Sequence, residues 1–161
     1  FVLTESGSFK PLLCINPTPL QLANGSMLLA CSEGNRTVAV RNPFTVFRAD
    51  RWQGPYERMP FVPHGFDPTM HNEDFYFFMD SHGRFHVLTH WQYGHTDGIC
   101  PDDHTHSNNA NCGGHFFSVD AVNWHWAWHR AFGPDVKFSN GTSVHLACRQ
   151  RPHFVYDPVG D

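Results

Sequence analysis

The chain has 161 residues, enough for one ordinary domain with a real core, and 16% charged against 15% aromatic residues argues against disorder. A formal charge of −4, from 11 basic and 15 acidic residues, suggests no nucleic-acid partner. No apolar run approaches the ~20 residues a membrane helix needs, so a membrane is not an expected partner either. The sequence opens at Phe1 in mid-pattern, which reads as a mature or partial chain.

Taken in order, residues 1–56 read as a first antiparallel meander. An apolar run at 12–15 leads into Asn16-Pro17-Thr18-Pro19, then Leu20-Gln21-Leu22 reaches Asn24-Gly25, a strong hairpin signal. Return strands are expected at 26–31, 37–40 and 44–48, and Trp52-Gln53-Gly54-Pro55-Tyr56 closes the unit. Residues 57–71 read as a proline-containing connection.

The second unit, residues 72–132, carries the clearest pattern. Phe75, Tyr76, Phe77 and Phe78 precede a turn at Asp80-Ser81-His82-Gly83; Arg84 to Trp91 and Gly113 to Ser118 follow as strands. In Ser118-x-Asp120-x-x-x-Trp124 the Ser and Asp oxygens are placed to accept backbone N–H groups while the Trp covers the strand behind. Trp124-His125-Trp126-Ala127-Trp128-His129 alternates with period two, which is strand rather than helix, and 126–132 is expected as the outer strand. Residues 143–161 read as the start of a third unit. The expected fold is therefore all-β: two blades of antiparallel four-stranded meanders and part of a third, as in a β-propeller. Such a partial ring leaves open sheet edges, so the reading is either an incomplete chain or one completed by other polypeptides or a larger extracellular assembly.

Five cysteines bear on the compartment. Cys100 and Cys112 bracket a polar loop that a disulfide would restrain, and Cys14 with Cys31 is a second plausible pair, leaving Cys148 over. Two free thiols, or a zinc pair with His104 and His106, are the alternatives for the loop. Three N-glycosylation sequons, at Asn24, Asn35 and Asn140, each fall at an expected turn or loop. Together with paired cysteines they point to a secreted chain carrying covalent N-glycans.

One series of motifs carries a family likeness. Asn16-Pro17-x-Pro19, Trp52-x-Gly54-Pro55-Tyr56, Glu73-Asp74, Gly113-Gly114-His115 with Ser118-x-Asp120-x-x-x-Trp124, and Arg149-x-Arg151-Pro152 follow one another in order. The series resembles the five-bladed β-propellers of the glycoside hydrolase family 43 type, particularly their little-characterised secreted members, over about the first half of such a propeller. The resemblance implies a central funnel that binds carbohydrate, with a carboxylate base, a second carboxylate and a Glu acid on the innermost strands. Carried over by position, Asn16 falls near the base, Asp74 on a funnel-lining carboxylate and Gln150 near the acid. Asn16 cannot take a proton as a carboxylate does, and Gln150 cannot donate one as a carboxylic acid. Of the three, Asp74 alone is a candidate catalytic residue.

Other candidates carry two readings each. His90 and His115, near the ends of inner strands, are candidates for sugar hydroxyls or a metal, against plain structural hydrogen bonding. Arg149 and Arg151 are candidates for clamping a carboxylate-bearing sugar, against pairing with Asp74 or Glu73. Trp91, Tyr93 and Trp126 are sugar-stacking or core residues. No cofactor is required by the sequence; a metal ion in the funnel stays open as a minority reading. Two functions follow. One is a secreted carbohydrate-active propeller binding glycan through Asn16, Asp74, His90, His115, Arg149, Gln150 and Arg151, with hydrolysis needing carboxylates from elsewhere. The other is a catalytically degenerate structural or adhesive glycoprotein.

Overall fold

The computed structural model describes residues 2–3, 9–10, 14–33, 44–65, 71–92, 112–127, 131–133, 135–146, 149 and 151–155. Those residues form strands, turns and extended chain, with no helix among them. A short antiparallel pair, β1 (Val2–Leu3) and β2 (Phe9–Lys10), stands first. The first large sheet has four antiparallel strands in sequential order, β3 (Cys14–Gln21), β4 (Met27–Glu33), β5 (Thr45–Ala49) and β6 (Glu57–Arg58). The second has five: β7 (Val62–His64), β8 (His71–Met79), β9 (Phe85–Gln92), β10 (Cys112–Ser118) and β11 (Asn123–Trp126), in the order β8-β9-β10-β11-β7. A hairpin of β12 (Asp135–Lys137) and β13 (Ser143–His145) follows.

The all-β expectation holds, with two corrections of detail. β3 includes Asn16-Pro17-Thr18-Pro19. The strand runs through it with a register shift between Ile15 and Thr18. Prolines are tolerated there because β3 lies at the sheet edge, where the missing N–H has no ladder partner to lose. Residues 57–71, expected as a connection, supply β6 and also β7, which pairs in parallel with β11 at the outer edge. The outer strand of the second meander begins at Asn123 rather than 126, because the Asp120 turn reverses the chain directly after Ser118. Asp120 Oδ1 accepts the N–H groups of Val122 (2.9 Å) and Asn123 (2.8 Å) and the Ser118 hydroxyl (2.9 Å), and Ala121 takes a left-handed φ of 59°. The Asn123 N–H, then its side chain, hold the Asp120 carboxyl well below the usual carboxylate range.

The two sheets pack face to face. Leu28, Ala30, Phe44 and Val46 of the first meet Phe75, Phe77, Val87, Phe116, Trp124 and Trp126 of the second. Phe44 is the hub, with edge-on contacts to Phe61 (5.1 Å), Phe116 (5.3 Å) and Trp124 (4.9 Å). Trp124 is fully buried and its indole N–H donates to the Ala121 carbonyl (3.0 Å), so the one polar atom of the largest core side chain is satisfied. Trp126, a candidate sugar platform, is also core. The Cys14–Cys31 disulfide ties β3 to β4. Cys100, Cys148, Asn35, Tyr93, His104, His106, Gln150 and the strand expected at 37–40 lie outside the described residues, as do the side chains of Trp91 and Cys112.

Candidate functional site

The inner strands of the two sheets carry the same irregularity. The β3–β4 ladder skips between Ile15 and Thr18, and the β8–β9 ladder skips between Glu73 and Tyr76. In each bulge one residue takes a left-handed backbone, Asn16 with φ of 51° and Asp74 with φ of 54°. Arg151, before Pro152, repeats it with φ of 54°. Left-handed non-glycine residues are uncommon, although Asn and Asp adopt that region more readily than most. A bulge re-aims its side chain out of the ladder, and these three converge. Asn16, Asp74 and Arg151, with Thr18, Phe75 and His153, line one cleft of about 320 Å³.

Hydrogen bonds between the sheets fix this arrangement. Thr18 Oγ1 accepts the Phe77 N–H (3.3 Å), and the Ser32 hydroxyl donates to the Asn72 carbonyl (3.1 Å). Asn72 is itself held by the Thr89 hydroxyl on its Oδ1 (3.0 Å). Arg151 Nε stands 3.6 Å from Asp74 Oδ1, the carboxylate nearly buried and the guanidinium mostly in solvent. The pairing reading of Arg151 therefore holds, and it leaves most of the five donors of that fork free. Asn16 adds an amide with both donor and acceptor character.

Arg149 lies in a neighbouring cleft of about 390 Å³ that shares Arg151 and His153 with the first. It donates to the Gly133 carbonyl (2.7 Å) and sits over the Phe132 ring at 5.1 Å, so it braces the cleft wall. Phe132 rests on the bare Cα of Gly113.

Two of the expected sugar contacts stand elsewhere. His90 is fully buried in β9, in register with Glu73 of β8 and Gly113 of β10, and lines neither cleft. His115 lies on the outward face of the second sheet, in a chain of hydrogen bonds that the strand register creates. Asp80 Oδ2 accepts from His86 Nε2 (3.2 Å), and His86 Nδ1 lies 2.9 Å from His115 Nε2. A carboxylate only accepts, so the His86 ring presents a proton on Nε2 to Asp80, and its Nδ1 is the atom that meets His115. Burial, then the neighbouring His86, pushes the His115 pKa down to about 4. The Arg84 N–H and guanidinium keep the Asp80 carboxyl ionised far into acid. The outward face continues as a row of rings across every strand, Phe78, His86, Phe117, His125 and His64, in register. Among the described residues no group of three His, Cys, Asp or Glu is placed to hold a metal.

Sequence reasoning does not single out Thr18, Phe75 or His153. The X-Pro step that Asn16 and Arg151 share is no signal either, since a residue before proline favours extended backbone rather than the left-handed one seen here. Nothing in the sequence marks Phe75 as cleft-lining.

No protein-family model and no curated protein matches the chain. Solved structures do match its fold. One is an exo-β-1,3-galactanase from Phanerochaete chrysosporium with β-1,3-galactotriose, at TM-score 0.57 and 8% identity over 83% of this chain and 28% of that one. Another is a glycoside hydrolase family 43 β-1,3-galactosidase with galactodeoxynojirimycin, at TM-score 0.54 and 9% identity over 78% of this chain and 35% of that one. The chain thus has a fold of the family 43 propeller type, and it spans about a third of the length of the structures it matches.

Proposed function

We propose that this chain is the sugar-binding part of a secreted carbohydrate-active propeller, and that its described cleft binds glycan without hydrolysing it. The observation that carries the reading is the convergence of Asn16, Asp74 and Arg151, all left-handed, on one cleft at the inner edge of both sheets. Backbone strain of about 1–3 kcal/mol per residue persists where the surrounding structure imposes it, and it concentrates at ligand sites. A sugar hydroxyl both donates and accepts, and the cleft offers a carboxylate, an amide and a guanidinium to meet it. Hydrolysis by inversion needs an acid and a base on two carboxyls with room for water between them. Among the described residues of the cleft Asp74 is the one carboxyl, and Asn16 cannot serve as the second.

The solved neighbours are described with β-1,3-galactotriose and with galactodeoxynojirimycin, so β-1,3-galactotriose is the ligand to try first. Titration calorimetry of the chain with galactotriose, beside Asp74→Asn and Arg151→Ala, tests the proposal. Saturable binding that both substitutions weaken at least tenfold, with no galactose released, supports it. Binding indifferent to both substitutions refutes it. Placement outside the cell is supported by the Cys14–Cys31 disulfide, which persists in oxidising compartments.

The second reading, a structural or adhesive glycoprotein within a larger assembly, is favoured by the row of rings on the outward face of the second sheet. Phe117 and His125 are exposed there, and Phe154 already packs on Phe78 at 4.7 Å. Concentration-dependent assembly abolished by Phe117→Lys, in a chain that binds no sugar, would select this reading.

A further inference from the structure

We infer that Asn24 and Asn140 are covalent glycan acceptors presented on two copies of one hairpin tip. In the first, the Leu22 N–H donates to the Ser26 carbonyl (2.8 Å) and the Gly25 N–H to the Leu22 carbonyl (2.9 Å). In the second, the Phe138 N–H donates to the Thr142 carbonyl (2.9 Å) and the Gly141 N–H to the Phe138 carbonyl (3.0 Å). Gly25 and Gly141 share a φ of 85°, a backbone that side chains rarely adopt. The side chains agree as closely. Asn24 Oδ1 accepts the Ser26 N–H (3.0 Å) and hydroxyl (2.7 Å), and Asn140 Oδ1 accepts the Thr142 N–H (3.0 Å) and hydroxyl (2.7 Å).

A third hairpin shows that this loop does not require the pattern. The Asp80 N–H donates to the Arg84 carbonyl (2.9 Å) and the Gly83 N–H to the Asp80 carbonyl (3.0 Å), with Gly83 at a φ of 77°. It carries His82 and Arg84 where the others carry Asn and a hydroxyl. An asparagine before the glycine is explained by turn chemistry. A hydroxyl two residues later, bonded to that asparagine, is not. Asn-x-Ser/Thr is the acceptor for N-linked glycan.

The chemistry fits the geometry. Both Asn side chains are exposed, and their Oδ1 atoms are engaged by the +2 residue. Nothing lies within 4 Å of where a Cβ on Gly25 or Gly141 would sit, so the tips have open space around them. Transfer from a lipid-pyrophosphate-linked oligosaccharide forms an Nδ2–C1 bond, breaks the C1–O phosphate bond, releases the lipid pyrophosphate and removes one proton from Nδ2. No redox step is involved. Asn24 also stands in the turn beyond the end of β3 away from Asn16, and the strand from Asn16 to Gln21 alone spans roughly 17 Å at about 3.3 Å per residue. A glycan there leaves the cleft open.

The two tips differ in one respect. Ser26 is buried, whereas Thr142 is exposed. An enzyme that reads the hydroxyl can reach Thr142 in the folded chain, but reaches Ser26 only before the first sheet closes. Asn24 is therefore modified during synthesis, and Asn140 before or after folding.

The test is peptide mass spectrometry on the chain from its native source, deglycosylated enzymatically in heavy-oxygen water so that each occupied Asn is read as labelled Asp. Label at both Asn24 and Asn140 is expected. Either site unlabelled in the secreted chain overturns the inference. Independently, folded unmodified chain given oligosaccharyltransferase and the lipid-linked donor should be modified at Asn140 and not at Asn24; equal modification of both refutes the order. The inference rests on extracellular placement and not on sugar binding. A chain without glycans that still binds galactotriose would sink it and leave the binding proposal standing.

Discussion

Gly113→Ala is the sharpest test of how the inner edge of the second sheet is built. A Cβ at position 113 would lie 2.1, 2.3 and 2.6 Å from three atoms of the Phe132 ring. Carbon atoms pack at about 3.5–4.0 Å, so ring and strand must separate by roughly 1.5 Å. The backbone cannot yield freely. The Gly113 N–H donates to the Phe132 carbonyl (2.9 Å), and the Ala131 N–H donates to the Gly113 carbonyl (2.7 Å). Losing either bond costs about 1 kcal/mol. If the ring rotates away instead, it leaves the Arg149 guanidinium, a contact of about 0.5–1 kcal/mol. Overpacking of this kind costs about 1–3 kcal/mol, and about 2 kcal/mol is expected in urea unfolding, read as a fall in midpoint at constant m-value. Phe132→Ala in the Gly113→Ala background should then cost less than in the wild type, giving a coupling of at least ~1 kcal/mol in the double-mutant cycle. An additive cycle, or a Gly113→Ala variant within ~0.5 kcal/mol of wild type, would refute the close approach.

Three further outcomes follow from the same packing and charge arguments. The folded His115 pKa, about 4, lies below its unfolded value of 6.5. The unfolded chain thus binds the extra proton between those values, and stability is full above pH ~6.5 and falls as pH drops toward ~4. The shift alone corresponds to about 3 kcal/mol, and screening at this part-exposed site reduces it to about 1–2 kcal/mol; urea midpoints across that window should lose their slope in His115→Phe. Cys14→Ser opens a cross-link between residues 17 apart and should lower stability by about 3 kcal/mol, measured under non-reducing conditions against the reduced wild type, which should fall to the same level. Trp124→Ala empties a fully buried site at the Phe44 hub and should cost about 3–5 kcal/mol, where an Arg84→Ala control stays within ~1 kcal/mol.

The elements that repeat with period two are legible in the residues alone. Trp124 and Trp126 face the core and His125 faces out, as their alternation implies. The Asp120 turn is legible because its oxygens satisfy neighbouring N–H groups within three residues. What escapes a reading of the chain depends on distant partners. The parallel docking of β7 on β11 joins residues far apart in sequence, and a three-residue segment containing Pro63 gives no strand signal of its own. The relay from Asp80 through His86 to His115 exists because of register between β9 and β10, whereas proximity to a strand end alone makes His115 read as a sugar ligand. The burial of His90 escapes for a related reason: burial is a property of neighbours, not of the residue. Asn16 and Asp74 are singled out by position, and the structure adds that both are left-handed and line one cleft. No local signal gives Arg151 the same conformation.

Under the proposal that this cleft binds glycan, a prediction about ligand charge follows from how Asp74 and Arg151 stand. The carboxylate is nearly buried and the guanidinium mostly exposed, 3.6 Å apart, so Arg151 is the movable member and Asp74 the fixed one. A neutral sugar can take donors from Arg151 and offer a hydroxyl to Asp74 without separating the two charges. An anionic sugar must bring its carboxylate close to Asp74, and like charges at about 4 Å repel by several kcal/mol at an effective dielectric near 20. Neutral galactotriose should therefore bind with an affinity that changes less than twofold between 0.05 and 0.5 M salt, where the Debye length falls from about 14 to about 4 Å. Galacturonate trimer should bind at least tenfold more weakly. Asp74→Asn should narrow that difference, because it removes the repulsion while keeping a hydrogen-bonding side chain of the same shape. Tighter, salt-sensitive binding of the galacturonate trimer by the wild type would show that Arg151 acts as an anion clamp and that the argument from Asp74 is wrong.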